Sequence, residues 1–177
     1  MKFRSWGFGV TARKKKKKKK SILTSPESPA AQVAEFIAKF EPRVAALIRS
    51  ARRALRKRFP AAHELVYDNY NFLVFGFCST ERPSDCIFSL CANAKGIGLS
   101  FYYGSTVPDP YGLLQGSGSQ NRFIRLESAA KLDDPRVKEL IGAAVAQAET
   151  PLPKTGKGRT IIRSVAAKQR PRRTSPE

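Results

Sequence analysis

Residues 112–126, GLLQGSGSQNRFIRL, place glycines at 112, 116 and 118 ahead of two arginines. Glycine turns of this kind cradle phosphates in two familiar ways. A nucleotide-hydrolysing loop needs Lys and Ser/Thr directly after its last glycine, to reach phosphate and Mg²⁺. Here Ser119 and Gln120 follow Gly118. A dinucleotide loop needs a third glycine three positions after the second, with a helix behind it. Here that position is Asn121, and a strand pattern follows. What is left is a tight turn in which Gly116 and Gly118 let backbone N–H groups converge on an anion. Alternation along RFIRL sets Arg122 on the face of Ile124 and Leu126, and Arg125 on the face of Phe123. An arginine on an apolar face is costly unless paired. Arg122 is therefore expected to meet an internal carboxylate or to hold a ligand in a cleft.

The run VYDNYN, residues 66–71, sets Asp68, Asn69 and Asn71 among large rings. It is expected to line one cleft together with the glycine turn. The ligand-binding candidates are then Tyr67, Asp68, Asn69, Tyr70, Tyr102, Gly116, Gly118, Arg122 and Arg125, with Tyr103 beside them. No catalytic residues are assigned. The one histidine, His63, reads as a helix-end residue paired with backbone carbonyls. No nucleophile–base–orienter set surrounds it, and Asp68 and Asp109 form no paired-carboxylate pattern. The three cysteines, Cys78, Cys86 and Cys91, show no CxxC spacing and sit among strand-like apolar residues. They read as small buried hydrophobes in a reducing, cytoplasmic compartment. A zinc site with His63 is disfavoured, because structural zinc ligands come in close pairs. No metal ligand set and no cofactor is predicted from the residues.

Charge is unevenly placed along the 177 residues, whose formal net charge is +19. Residues 1–20 carry ten Lys/Arg and no acid, and residues 151–177 carry eight Lys/Arg and one acid, which leaves +2 for the middle. The seven-lysine run Lys14–Lys20 repels itself and buries nothing, so residues 1–24 are expected to be a disordered basic tail. The Pro-, Gly- and Lys/Arg-containing residues 151–177 are expected to be a second one. Between them lies one domain, residues 25–150. No apolar run approaches the roughly 18 residues of a transmembrane helix. The first ten residues are too polar and short for a signal-peptide core.

Within the domain, Val33, Phe36, Ile37 and Phe40 recur at helical spacing, after Ser25 or Ser28 as cap and proline at the first helical position. A second helix runs through PRVAALIRSARRALRKRF, with Val44, Leu47, Ile48, Ala51 and Leu55 as its apolar stripe and Pro60 as its stop. From Arg43 to Arg58 it carries seven basic residues and no acid. Like-charge residues gain nothing from helix pairing, so this helix is a candidate polyanion-binding element. The polyanion-binding candidates are Lys14, Lys17 and Lys20 in the tail, and Arg49, Arg53 and Arg56 on the helix. Strands are expected at ELVYD, NFLVFGFC, DCIFSLCA, GIGLSFYYG and RFIRL, joined by short turns as an antiparallel meander. A last helix opens at Asp134 and Pro135, with Val137, Leu140, Ile141, Ala144, Val145 and Ala148 on one face. The fold class is α+β: an antiparallel sheet with helices on one face.

HELVYDNYNFLVFGF, STERPSDCIFSL, LSFYYGSTVPDPYGLLQGSGSQNRFIRL and the closing helix together resemble the YdhG-like family of small bacterial domains, over roughly residues 28–148. The most specific part is Leu-Leu-x-Gly-x-Gly followed by Arg-x-x-Arg-Leu. Where members commonly carry lysine after the Gly-x-Gly, this chain has Ser119. The resemblance implies a frataxin-like α/β sandwich. Some members are described as frataxin-like iron chaperones, so it also implies iron as a cofactor to consider; frataxin-type binding uses exposed acids of an early helix and strand, whereas here the second helix is basic and the acids Glu64, Asp68, Glu81 and Asp85 are scattered. The expected function is a non-enzymatic domain binding a small anion or a protein partner. The alternatives are iron binding, or association with nucleic acid through the basic tails.

Overall fold

The computed structural model describes residues 28–173. Lys14, Lys17 and Lys20, with the rest of the N-terminal tail and residues 174–177, lie outside them. Two helices, α1 (Pro29–Ala38) and α2 (Pro42–Arg58), precede five strands: β1 (His63–Asp68), β2 (Leu73–Cys78), β3 (Cys86–Asn93), β4 (Gly96–Phe101) and β5 (Arg122–Leu126). Helix α3 (Pro135–Ala146) and strand β6 (Thr160–Val165) follow. The helix starts are those the caps predict. The Ser28 side chain accepts from the Ala31 N–H at 3.2 Å, ahead of Pro29. Asp134 accepts from the Arg136 N–H at 2.9 Å, ahead of Pro135.

Strands β1 to β5 form the expected antiparallel meander, in one sheet ordered β5-β4-β3-β2-β1-β6. All three helices bury their apolar stripes on one face of it. Phe36, Ile48, Leu55 and Leu140 pack with Val66, Phe75, Phe88, Leu99 and Ile124 in a single core. Among the described residues no helix covers the other face, called the open face below. Register aligns Tyr67, Val74, Cys91, Gly98 and Arg125 in one row across it, and Leu65, Gly76, Ser89, Ser100 and Phe123 in the next.

The C-terminal segment departs from expectation. Residues 151–173 were expected to lack a fixed fold outside a domain ending at 150. Instead β6 pairs in parallel with β1, making the sheet mixed rather than antiparallel. The reason is local as well as tertiary. Thr160, Ile161, Ile162 and Val165 are β-branched and suit a strand, a signal that the Pro, Gly and Lys/Arg around them conceal. Past β6 the chain stays attached: the Ala166 N–H donates to Asp68 O at 2.9 Å and the Arg170 N–H to Tyr70 O at 2.9 Å.

Two buried carboxylates explain why that edge of β1 needs a partner. Glu64 and Asp68 flank Val66 on the core side of β1, and both are fully buried. Arg52 of α2 grips Glu64 with two bonds of 2.7 Å. Arg56 (3.3 Å) and the Thr160 hydroxyl (2.8 Å) add to it. Asp68 takes Lys39 at 2.5 Å and Arg172 at 3.0 Å. The C-terminal segment thus supplies one donor to each acid. Replacing Glu64 by Ala strands two arginines, yet both retain some access to water. A loss at the low end of the range for broken buried pairs is expected, about 3 kcal/mol. It would be read as a lower urea midpoint at unchanged denaturant slope.

Candidate functional site

Helix α2 divides its seven cations between two tasks. Arg52 and Arg56 turn inward to Glu64, and Arg52 also lies over the Phe75 ring at 5.3 Å. Arg58 donates to Leu132 O and to Asp133, each at 3.0 Å. Arg43, Arg49, Arg53 and Lys57 are exposed and have no acidic partner among the described residues. Arg49, Arg53 and Lys57 follow one another at four-residue spacing, so they stack on one face of the helix. Two of the expected polyanion contacts, Arg49 and Arg53, are therefore free. Arg56 is not: it serves Glu64, Thr160 and, at 3.4 Å, Gly158 O.

Arg49, Arg53 and Lys57 line a groove of about 870 Å³ between α2 and the loop at Gly156–Lys157. Lys157 completes the groove, and its position could not be read from sequence. The loop is seated by Gly158, whose N–H donates to Pro60 O at 2.8 Å. A Cβ at Gly158 would stand 1.8 Å from the Ala62 carbonyl oxygen. Only glycine allows that approach. Near this groove His63 begins β1 rather than ending a helix, and its Nδ1 accepts from the Arg159 N–H at 3.5 Å instead of donating to carbonyls.

The cleft expected from VYDNYN and the glycine turn does not form. VYDNYN lies at β1, the glycine turn at β5, and three strands separate them. Asp68 is buried and saturated, as described above. The Asn69 carbonyl accepts from Arg172 at 2.5 Å, and the exposed Tyr70 ring lies 5.5 Å from the Arg170 guanidinium. Tyr67 faces the open side of the sheet, where burial raises its phenol pKa above the usual value. Tyr102 and Tyr103 are exposed and meet edge-on at 4.8 Å.

At the glycine turn, Gln115 and Phe123 form a β-bridge. Gly116 has φ 107°, which favours glycine. Arg122 meets neither a carboxylate nor an open cleft; its guanidinium donates to Gly118 O, and to Asn121 O at 2.8 Å. The turn thus directs two carbonyls at its own arginine. Arg125 stays exposed on the open face.

The acids are similarly engaged. Asp109 accepts from the Leu113 and Leu114 N–H groups at 3.0 and 2.7 Å. Asp85 accepts from Thr80 at 2.5 Å, and Glu81 is bonded by Arg159. Among the described residues no group of three or more His, Cys, Asp or Glu is placed to hold a metal ion, and no helix is long and apolar enough to cross a membrane.

The cysteines are free thiols on the open side of the sheet, where Cys78 and Cys86 are cross-strand partners. The hydrogen bond from Cys78 holds Cys86 below the ordinary thiol range; that contact and burial push Cys78 up. Burial pushes Cys91 up to about 12.

Two outcomes follow. Gly158→Ala forces the 156–158 loop off Ala62 and lowers stability by about 2–3 kcal/mol, measured by thermal or urea unfolding. Limited alkylation near neutral pH, mapped by mass spectrometry, labels Cys86 first, because the thiolate is the nucleophile; raising the pH should bring in Cys91 next and the fully buried Cys78 last. No family model, curated protein or solved structure matches the chain, so the YdhG-like resemblance rests on its motifs alone.

Proposed function

We propose that this is a non-enzymatic binding domain whose partner is a phosphodiester polyanion, gripped along α2. One observation carries the reading. The helix keeps four cations without acidic partners, three of them stacked four residues apart, while the cations that stability requires are separately engaged with Glu64 and Asp133. Like charges at that spacing oppose helix formation. The helix dipole favours Lys57 in the last turn, but it does nothing for Arg49 or Arg53. A groove of one sign draws a polyanion and raises its rate of encounter. Lys157 adds to the same field.

The reading is of a nucleic-acid-associated protein, and three free thiols fit the reducing, cytoplasmic setting proposed for it. Contacts of this kind neutralise phosphates and carry little sequence information. Small-anion capture at the glycine turn is less favoured, because the contacts seen there are carbonyls of Gly118 and Asn121 turned toward Arg122 and an anion site needs converging N–H donors. Iron chaperoning is less favoured because Glu64, Asp68, Glu81 and Asp85 are each engaged by donors.

The test is a salt titration of the full chain against a labelled oligonucleotide. The Arg49→Ser/Arg53→Ser/Lys57→Ser variant changes only exposed residues and is expected to melt like the parent. Its log K against log salt slope should be shallower by about 2–3, the value for three phosphate contacts. The basic termini are common to both proteins and cancel in the comparison. An unchanged slope and affinity would refute the reading.

A further inference from the structure

A second groove, of about 790 Å³, lies where the N-terminal turn of α2 meets the β3–β4 turn and the open sheet face. Its floor is flat for a structural reason. Gly98 cannot carry a side chain, since a Cβ would stand 2.9 Å from Ile124 O. The open-face rows around Gly98 hold Val74 and Cys91, which rise little from the sheet. Two aromatic rings stand at the margins. Phe72, just before β2, is 41% exposed. Phe123 on β5 is half-buried, and its ring lies against the glycine turn, with a Cβ at Gly116 placed 3.5 Å from it. Around them stand the cations Arg43, Lys95 and Arg125, against the single carboxylate of Glu127.

Both grooves border α2. Arg43 lines the sheet-face groove at one end of α2, and Arg49, Arg53 and Lys57 line the other groove on the same helix. From Arg43 to Lys57 the helix rises about 21 Å. The stripe of Arg49, Arg53 and Lys57 and the separate cation Arg43, about 120° round the helix from Arg49, thus lie on the same helix as the edge of a surface bearing two rings.

We infer that the polyanion is single-stranded nucleic acid, whose backbone follows α2 and whose unpaired bases stack on Phe72 and Phe123 at the open sheet face. The inference rests on the polyanion reading above and adds the strandedness of the ligand. A duplex hides the faces of its bases and has no use for exposed rings. A single strand presents them, and aromatic stacking is sequence-tolerant because every base has a π-face. Asn93 borders the same groove, and its side-chain oxygen is held by the Lys95 N–H at 2.9 Å, which leaves its amide donors for a base edge. An acidic peptide would satisfy the cations but not the rings.

The experiment measures the full chain by fluorescence anisotropy against three probes: an unstructured single-stranded oligonucleotide, a duplex of the same length, and poly-glutamate. Phe72→Leu/Phe123→Leu keeps apolar bulk while removing the rings; Phe72→Trp restores a larger one. Unchanged circular dichroism and melting confirm folding, and Phe72→Leu alone serves if Phe123→Leu unfolds the domain. The expected result is a loss of at least about 10-fold for the single strand, within the cost of one or two lost stacks. Duplex affinity stays unchanged, and Phe72→Trp binds the single strand at least as well as the parent. Equal effects on single strand and duplex, or none on either, would overturn the inference. So would a matching loss for poly-glutamate, which would make the partner a protein. Failure of the α2 arginine variant to alter salt dependence is a separate result and would remove the underlying reading instead.

Discussion

Two carboxylates buried on one side of one strand set the terms for the rest of this protein. Glu64 and Asp68 sit on β1 facing the helices, in an interior built mainly of Phe, Leu, Ile, Val and Ala. An unpaired carboxylate there costs several kcal/mol, so each must be met by cations in good geometry. Glu64 recruits Arg52 and Arg56 and thereby fixes α2 across the sheet. Asp68 recruits Lys39 beside α1 and Arg172 near the end of the described chain. Thr160 and Arg172 reach these acids only if the C-terminal segment returns to β1. The parallel strand β6 and the wrap that follows it are the consequence.

The same demand sorts the basic residues. Those that answer a buried acid become part of the fold, and Arg56 is the clearest case: its side chain touches a carboxylate, a hydroxyl and a carbonyl from two segments. Those without an acid remain on the outer face of α2, where their mutual repulsion is unrelieved by anything in the described chain. One helix thus carries a structural set and an available set in alternating positions. The polyanion reading depends on that separation, because the overall charge of +19 does not by itself distinguish the two sets.

The layering has a related effect. With three helices gathered on one face, no helix among the described residues covers the opposite face, and its rows hold Ser, Cys and Gly with a few larger side chains. Gly98 and Gly76 accept close neighbours, Ile124 O and the Cys86 sulfur respectively, and keep that surface low. A flat, half-apolar surface rimmed by cations results at the end of α2. The glycine turn contributes by bracing Phe123 and occupying Arg122, a different role from the anion nest its composition suggests.

Much of the architecture was legible in the chain itself. Helical spacing of Val33, Phe36, Ile37 and Phe40, proline after Ser28 and Asp134, and the alternation of Ile97, Leu99 and Phe101 specify helices, caps and strands, because these are short-range consequences of side-chain periodicity and backbone stereochemistry. The excess of arginine on α2 was equally visible. Which arginines are free was not, since that depends on Glu64 arriving beneath Arg52 and Arg56 from another element. The strand at 160–165 was masked by its basic, Pro- and Gly-rich surroundings. Its place beside β1 is a matter of long-range hydrogen bonding and charge pairing. The sequence alone determined the local elements and the sign of the charge; only the tertiary structure decided which charges were neutralised, because neutralisation depends on distance in space, and distance along the chain does not report it.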